Sequence, residues 1–265
     1  MAQTVLMIHG MWGGAWYWQN YKSMFEAAGH RCVATTLRYH DVDPRAVPDP
    51  RLGSVSLLDY CADLEHEIRE LGDKPILVGH SMGGLLAQIL ASRGMAKAAV
   101  ILTPASPAGI NAIRPSVIRS FWSVQTRWGF WKRPMRQKFS EAVYSMLHLL
   151  PPQAQRETYD RFVHESGRLV FEIGYWPLDR RHASRVDPTK VTCPVLVVGA
   201  GLDRITPTSV VRRVARKYRN AATYREFSNH AHWVVGEPGW EEVAEYVRQW
   251  LNTLEAKRAA ATAVN

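Results

Sequence analysis

The sequence predicts an α/β protein: a doubly wound, mostly parallel sheet with a helical cap inserted in it. Three observations lead there. Short apolar runs at residues 5–8, 32–36, 75–78, 98–103, 194–198 and 223–227 alternate with segments of helical character, the rhythm of a parallel sheet covered on both faces. That rhythm stops between residues 108 and 185, where helical runs, Pro151-Pro152 and four tryptophans replace any clear strand. Finally, 265 residues with 46% hydrophobic and 22% charged content suit one sizeable core, which excludes a disordered, collagen-like or membrane-bundle chain. Residues 1–107 and 186–255 are therefore expected to form the core, 108–185 the cap, and 256–265 a frayed tail.

Each element has its own justification. The first run starts almost at the N-terminus, lacks a basic leader, and is too short to span a bilayer. Leu57, Cys61, Leu64, Ile68 and Leu71 recur at helical spacing while Asp63, Glu65, Glu67 and Glu70 fall elsewhere, giving a crossover helix with one buried face. Residues 85–91 are apolar nearly all round, so that helix belongs against the middle of the sheet. Between residues 108 and 185 thirteen basic residues face six acidic ones, in a chain of net charge +9. The basicity is thus local to the cap, where Arg114, Arg119, Arg127, Lys132, Arg133, Arg136 and Lys138 follow one another without an acid. The Ala-rich residues 256–265 have no apolar period to dock them. Cys32, Cys61 and Cys193 are odd in number and widely spaced, and read as buried thiols of a reducing, cytoplasmic setting.

The chemistry begins at Gly79-His80-Ser81-Met82-Gly83-Gly84, which follows an apolar run and opens the apolar helix. This is the strand, sharp turn and helix that a G-x-S-x-G nucleophile elbow requires. Small flanking residues let strand and helix approach, and the helix N-terminus offers Ser81 free N–H groups for a developing oxyanion. A serine hydroxyl needs a base, and the base needs a carboxylate to fix its tautomer. Both should lie at carboxyl ends of strands, where open α/β sheets hold their sites. Asp203 comes just past the run 194–198, whereas Thr103-Pro104-Ala105 offers no carboxylate and Asp73 and Asp187 precede their strands. His232 follows the last run in Asn229-His230-Ala231-His232-Trp233, with His230 as the rival base.

Together with His9-Gly10-Met11-Trp12-Gly13-Gly14-Ala15-Trp16 after the first strand, these motifs resemble the α/β-hydrolase superfamily over residues 5–254. The sequence is most similar to the branch of plant methylesterases and hydroxynitrile lyases. The resemblance implies the α/β-hydrolase fold and the chain order Ser, Asp, His. It favours His232 over His230, because the family sets its base just before an aromatic or small residue leading to Glu-Pro, here Trp233 and Glu237-Pro238. It also implies backbone N–H groups of Met11 and Met82 as the oxyanion hole, with His9 structural. Glu237 is expected to cap the last helix, the alternative being support of the histidine loop.

The expected activity is hydrolysis of a carboxylic ester through an acyl-enzyme on Ser81, without metal or organic cofactor. Thioesterase, acyltransferase and C–C bond hydrolase share the same triad, and a ligand-binding receptor or scaffold could share the fold. Relatives that need Asp at the nucleophile find Ser81, and lyases with a lysine beside the base find Trp233. Met11, Trp12, Met82, Ile205 and Trp233 suggest an uncharged, partly hydrophobic small-molecule ester. Trp12, Trp122, Trp128, Trp131, Trp176, Ile205 and Trp233 are the candidates to line its pocket. Gly10-Met11-Trp12-Gly13-Gly14 is not G-x-G-x-x-G and no G-x-x-x-x-G-K occurs, so nucleotide binding is not expected. The basic, aromatic cap could draw anionic substrates or a membrane surface. No nucleic-acid module surrounds it, and solubility is its simplest account.

Overall fold

The computed structural model describes residues 2–218 and 221–263, with residues 257–263 as backbone only. Six strands form one parallel sheet: β1 (Thr4–Ile8), β2 (Arg31–Ala34), β3 (Ile76–His80), β4 (Ala98–Leu102), β7 (Val195–Ala200) and β8 (Ala222–Phe227), in the order β2-β1-β3-β4-β7-β8. Every pairing is parallel. The order reverses at β1, so right-handed crossovers send α1 (Gln19–Ala27) to one face and α2 (Leu57–Glu70) and α3 (Met82–Ser92) to the other. Accordingly α2 packs on α3, α9 (Thr208–Lys217) packs on β7 and β8, and α1 packs on the last helix, α10 (Trp240–Ala263). The central strands β3, β4 and β7 are buried throughout, whereas the edge strand β8 is buried only at Phe227. That difference explains why the central runs read as continuous apolar stretches.

Register decides where chemistry can sit. Ile8 pairs with Gly79, His80 with Leu102, Leu102 with Val198, and Ala200 with Phe227. The loops after β1, β3, β4, β7 and β8 therefore leave side by side from one edge, carrying Met11, Ser81, Thr103, Asp203 and His232.

Between β4 and β7 the chain forms α4 (Pro115–Ser120), α5 (Trp122–Gln125), α6 (Phe139–Ala142), α7 (Pro152–Asp160) and α8 (Gly167–Gly174). One expectation is corrected here: this segment also holds an antiparallel pair, β5 (Pro134–Met135) with β6 (Glu165–Ser166). Two-residue strands are too short to show a period of two, so no sequence pattern marks them. Two buried carboxylates fasten this segment to the core. Glu165 accepts hydrogen bonds from Tyr60 at 2.8 Å and from His40 at 3.2 Å. Glu172 accepts from the Ser56 hydroxyl and from the Leu57 N–H at 2.9 Å, capping α2 from outside. The tail is a second correction, since α10 continues to Ala263. Alanine is the strongest helix former and needs no docking to extend a helix already begun. Residues 264–265 of that expected tail lie outside the described residues.

Candidate active site

Ser81 sits between β3 and α3 with φ of 54° and ψ of −116°. This is a left-handed-side conformation that side-chain-bearing residues rarely adopt and that persists only when surroundings enforce it. Three backbone hydrogen bonds do so: Ser81 N–H to the Leu102 carbonyl at 3.0 Å, and Ala105 N–H and Leu85 N–H to the Ser81 carbonyl at 2.9 and 3.2 Å. The glycines allow the crossing. A Cβ on Gly79 would collide with the Gly83 carbonyl, and one on Gly83 with the carbonyls of Ile8 and His9. The sequence motif is thus a steric requirement of strand, turn and helix sharing one small volume.

Asp203 and His232 meet from neighbouring strand ends. His232 Nδ1 donates to Asp203 Oδ2 at 2.8 Å. The other carboxylate oxygen, Oδ1, accepts from the Ile205 and Thr206 N–H groups at 2.7 and 2.8 Å, and the Thr206 hydroxyl lies 2.7 Å from Oδ2. Burial alone would raise the Asp203 pKa, but His232 and the Thr206 hydrogen bonds outweigh it and hold the carboxyl below its usual range. With Nδ1 carrying the proton, His232 Nε2 is left as the basic nitrogen. The histidine loop is tied to the elbow by His80, whose Nε2–H donates to the His232 carbonyl at 2.8 Å. Their rings lie 4.9 Å apart, and burial pushes His80 down to about 3, so it stays neutral.

His230 does not join this pair. Its Nδ1 lies 2.9 Å from Glu237 Oε1, which also accepts the Ala231 N–H at 2.8 Å. Glu237 therefore braces the histidine loop and does not cap α10, a correction that follows from its side chain turning back toward Ala231.

At the loop after β1, the backbone N–H groups of Met11 and Met82 have no acceptor among the described residues. Met82 is the first residue of α3, where an unpaired N–H is intrinsic to a helix. The peptide carrying the Met11 N–H is held by its other end: His9 Nδ1–H donates to the Gly10 carbonyl at 2.8 Å. His9 Nε2 accepts the Leu37 N–H at 3.1 Å, which fixes the tautomer. Burial first, and His40 second, lower the His9 pKa to about 3, so this neutral arrangement holds across the ordinary pH range. Tyr17 OH anchors the next carbonyl, that of Met11, at 2.9 Å.

A cavity of about 470 Å³ opens from Ser81 and Met11 toward the cap, bounded by α4, α8, the turn at residues 176–178 and Ile205. Among the proposed pocket residues, Trp176 and Ile205 line it and the other five do not. Trp12 is buried and donates to the Met135 carbonyl, tying the loop to the cap. Trp233 packs edge-on against Tyr17 at 4.5 Å. Trp122 is 60% exposed on a separate surface cleft, and Trp128 is 86% exposed beside Trp131. Short cap helices leave no periodicity from which their inward face can be read. Aliphatic side chains of α4 and α8 were the missed lining. Thr206 was missed as well, although Asp203-x-x-Thr206 has the spacing of a side chain folding back on a turn. Among the described residues no three histidine, cysteine or carboxylate groups gather as a metal site would need, and no helix is long and apolar enough to cross a membrane.

Comparison with known proteins bears on this geometry. The chain is 37% identical over 100 residues to methylesterase 7 of Arabidopsis thaliana, and 37% identical over 82 residues to salicylic acid-binding protein 2 of Nicotiana tabacum. These matches cover 37% and 30% of this chain and 37% and 30% of those proteins, so the chain spans about a third of the relatives it matches. A solved methylesterase from Arabidopsis superposes with a TM-score of 0.70 at 13% identity, covering 95% of this chain and all of that one, a likeness of fold. The family model described as the alpha/beta hydrolase family matches residues 5–246. With the parallel sheet, the serine elbow and that match, the chain belongs to the α/β hydrolase family.

Proposed function

We propose that the protein is a carboxylic ester hydrolase that works through an acyl-enzyme on Ser81. The observation that carries this reading is the buried Asp203–His232 pair at the strand edge that also presents Ser81 at the N-terminus of α3. Ser81 Oγ bonds to the ester carbonyl carbon as its proton passes to His232 Nε2. The developing oxyanion is taken by the N–H groups of Met11 and Met82, each such donor being worth about a hundred- to a thousandfold in turnover. The carbon–alkoxy bond then breaks as His232 returns the proton to the leaving alcohol. Water repeats the sequence, releasing the acid and restoring Ser81. Asp203 stays ionised, orienting His232 and stabilising its imidazolium. The methylesterase names of the relatives support an ester substrate, and a cavity wall without charged side chains supports an apolar one. Partners beyond that substrate are not required by this chemistry, and the reading extends to a cytoplasmic enzyme.

The test is hydrolysis of p-nitrophenyl acetate with Ser81→Ala beside the wild type, together with labelling by a fluorophosphonate. The expected result is loss of turnover by roughly 10⁴-fold or more and a label on Ser81 alone. Turnover that survives Ser81→Ala overturns the proposal.

A further inference from the structure

We infer that the cavity takes the acyl half of the ester, and that this acyl group is an uncharged aliphatic chain long enough to reach the cap rim. The inference rests on the esterase reading above and adds the substrate class.

The assignment of halves follows from where the proton must go. A leaving alcohol collects its proton from His232, so it departs on the His232 side of the carbonyl. The cavity wall includes Ser81 and Met11 and, among the described residues, does not include His232 or Trp233. A group filling it therefore lies on the far side of the carbonyl carbon from the leaving oxygen, and that group is the acyl chain.

The chemistry of the wall sets the class. Among the described residues no Asp, Glu, Lys, Arg or His lines the cavity, although the segment that builds most of it is the most basic in the chain. Its cations point elsewhere: Arg119 stacks on Tyr144, Arg136 donates to the Tyr159 carbonyl, and Arg168 pairs with Glu172 and Asp179. A carboxylate carried on the acyl chain would be desolvated here with no cation to pair it, only neutral groups such as Asn111, Gln125 and Tyr175, a cost that exceeds what the apolar contacts return. Two helices supply branched aliphatics to the wall, Val117 and Ile118 from α4 and Val170 and Ile173 from α8. At the far end Ile113 and Leu178 are 61% and 69% exposed, and a chain crossing the rim would cover them. By the ~30 Å³ that one small group occupies in a liquid, 470 Å³ holds about fifteen heavy atoms, more than an acetyl or short branched group can fill.

The experiment compares kcat/KM for p-nitrophenyl esters of acetate, butyrate, hexanoate, octanoate and dodecanoate at pH 7.5, below their micellar concentrations. Burying one methylene is equivalent to roughly a three- to fourfold gain in rate constant. The expected profile rises about a hundredfold from acetate to hexanoate, continues to octanoate, and flattens once the chain passes Ile113 and Leu178. The mono-p-nitrophenyl ester of adipate, a hexanoate chain ending in a carboxylate, should fall at least a hundredfold below hexanoate. Ile173→Trp and Val117→Phe, which fill the cavity from α8 and from α4, should each lower the octanoate-to-acetate ratio tenfold or more. Ser81-dependent hydrolysis that is flat with chain length, or that accepts adipate as well as hexanoate, overturns the substrate class and leaves the esterase standing. Absence of Ser81-dependent turnover with every chain overturns both. The wild-type series decides the matter even where a filled-cavity variant fails to fold.

Discussion

Thr206→Val should move the acid limb of the pH profile upward. In the structure Asp203 Oδ2 is shared between two donors, His232 Nδ1 at 2.8 Å and the Thr206 hydroxyl at 2.7 Å. The hydroxyl has one hydrogen, and the charged acceptor is nearer than the Thr103 carbonyl at 3.0 Å. Valine keeps the shape and removes the donor. The carboxylate then concentrates its charge on His232, so the imidazolium is better stabilised. A hydrogen bond to a charged group is worth about 1.5–3 kcal/mol. If close to half of that is redirected to the imidazolium, the shift is about 0.5–1 pH unit at 1.36 kcal/mol per unit. Activity requires neutral His232, so kcat/KM at low pH should fall while the plateau above it changes much less. The assay is kcat/KM for p-nitrophenyl hexanoate from pH 5 to 9 for wild type, Thr206→Val and Thr206→Ser, the serine variant restoring the wild-type limb. An unmoved limb, or one moved to lower pH, would refute the idea that Thr206 tempers Asp203, and would leave it a packing residue of the cavity wall.

Three other outcomes follow from the same geometry. Gly83→Ala places a Cβ against the Ile8 and His9 carbonyls, and should lower Tm by about 5–10 °C, the effect of roughly 2–3 kcal/mol of overpacking in a domain of this size; an unchanged melting curve would contradict the crossing described. His9→Ala frees the peptide that carries the Met11 N–H and should reduce kcat ten- to a hundredfold with little change in KM, whereas His9→Asn, which can offer a donor to the Gly10 carbonyl, should recover part of it. Burial opposes a charged His40, but Glu165 outweighs it and raises the His40 pKa above 6.5. The stabilisation from that pair is therefore complete below about pH 6.5 and lost as pH rises through the raised value. Melting of Glu165→Gln against wild type from pH 6 to 9 should show a gap that narrows with pH, and a constant gap would remove His40 from the account.

How much of this could be read in advance depended on the length of the pattern involved. The inner strands of the sheet and the central helix were legible because short runs of mostly apolar residues between turns have few other fates, whereas the edge strand β8, with Arg225 and Glu226 inside it, was marked only by its spacing after β7. Ser81 was legible because its glycines are demanded by backbone contacts, and such demands write themselves into sequence. Asp203 and His232 were findable through strand ends, since the parallel register brings those ends together. The cap resisted: α5 and α6 are four residues each, barely one turn, and one turn has no face to identify. So Trp122 and Trp128 could be counted but not aimed. Nothing local in the sequence marks Glu165 and Glu172, because the partners that bury them, Tyr60, His40 and Ser56, lie more than a hundred residues away in the chain.

Those two carboxylates have a consequence for how specificity can be exchanged within this fold. They make the cap a plug with keyed pins, and the keyholes belong to the other segment. A cap transplanted by itself from a relative would arrive with pins that this core does not receive, or would leave the core's imidazole, phenol and helix N-terminus without their anion. Exchange of substrate preference by recombination therefore has to move residues 40, 56 and 60 together with the cap, and chimeras that do so should fold where cap-only chimeras do not.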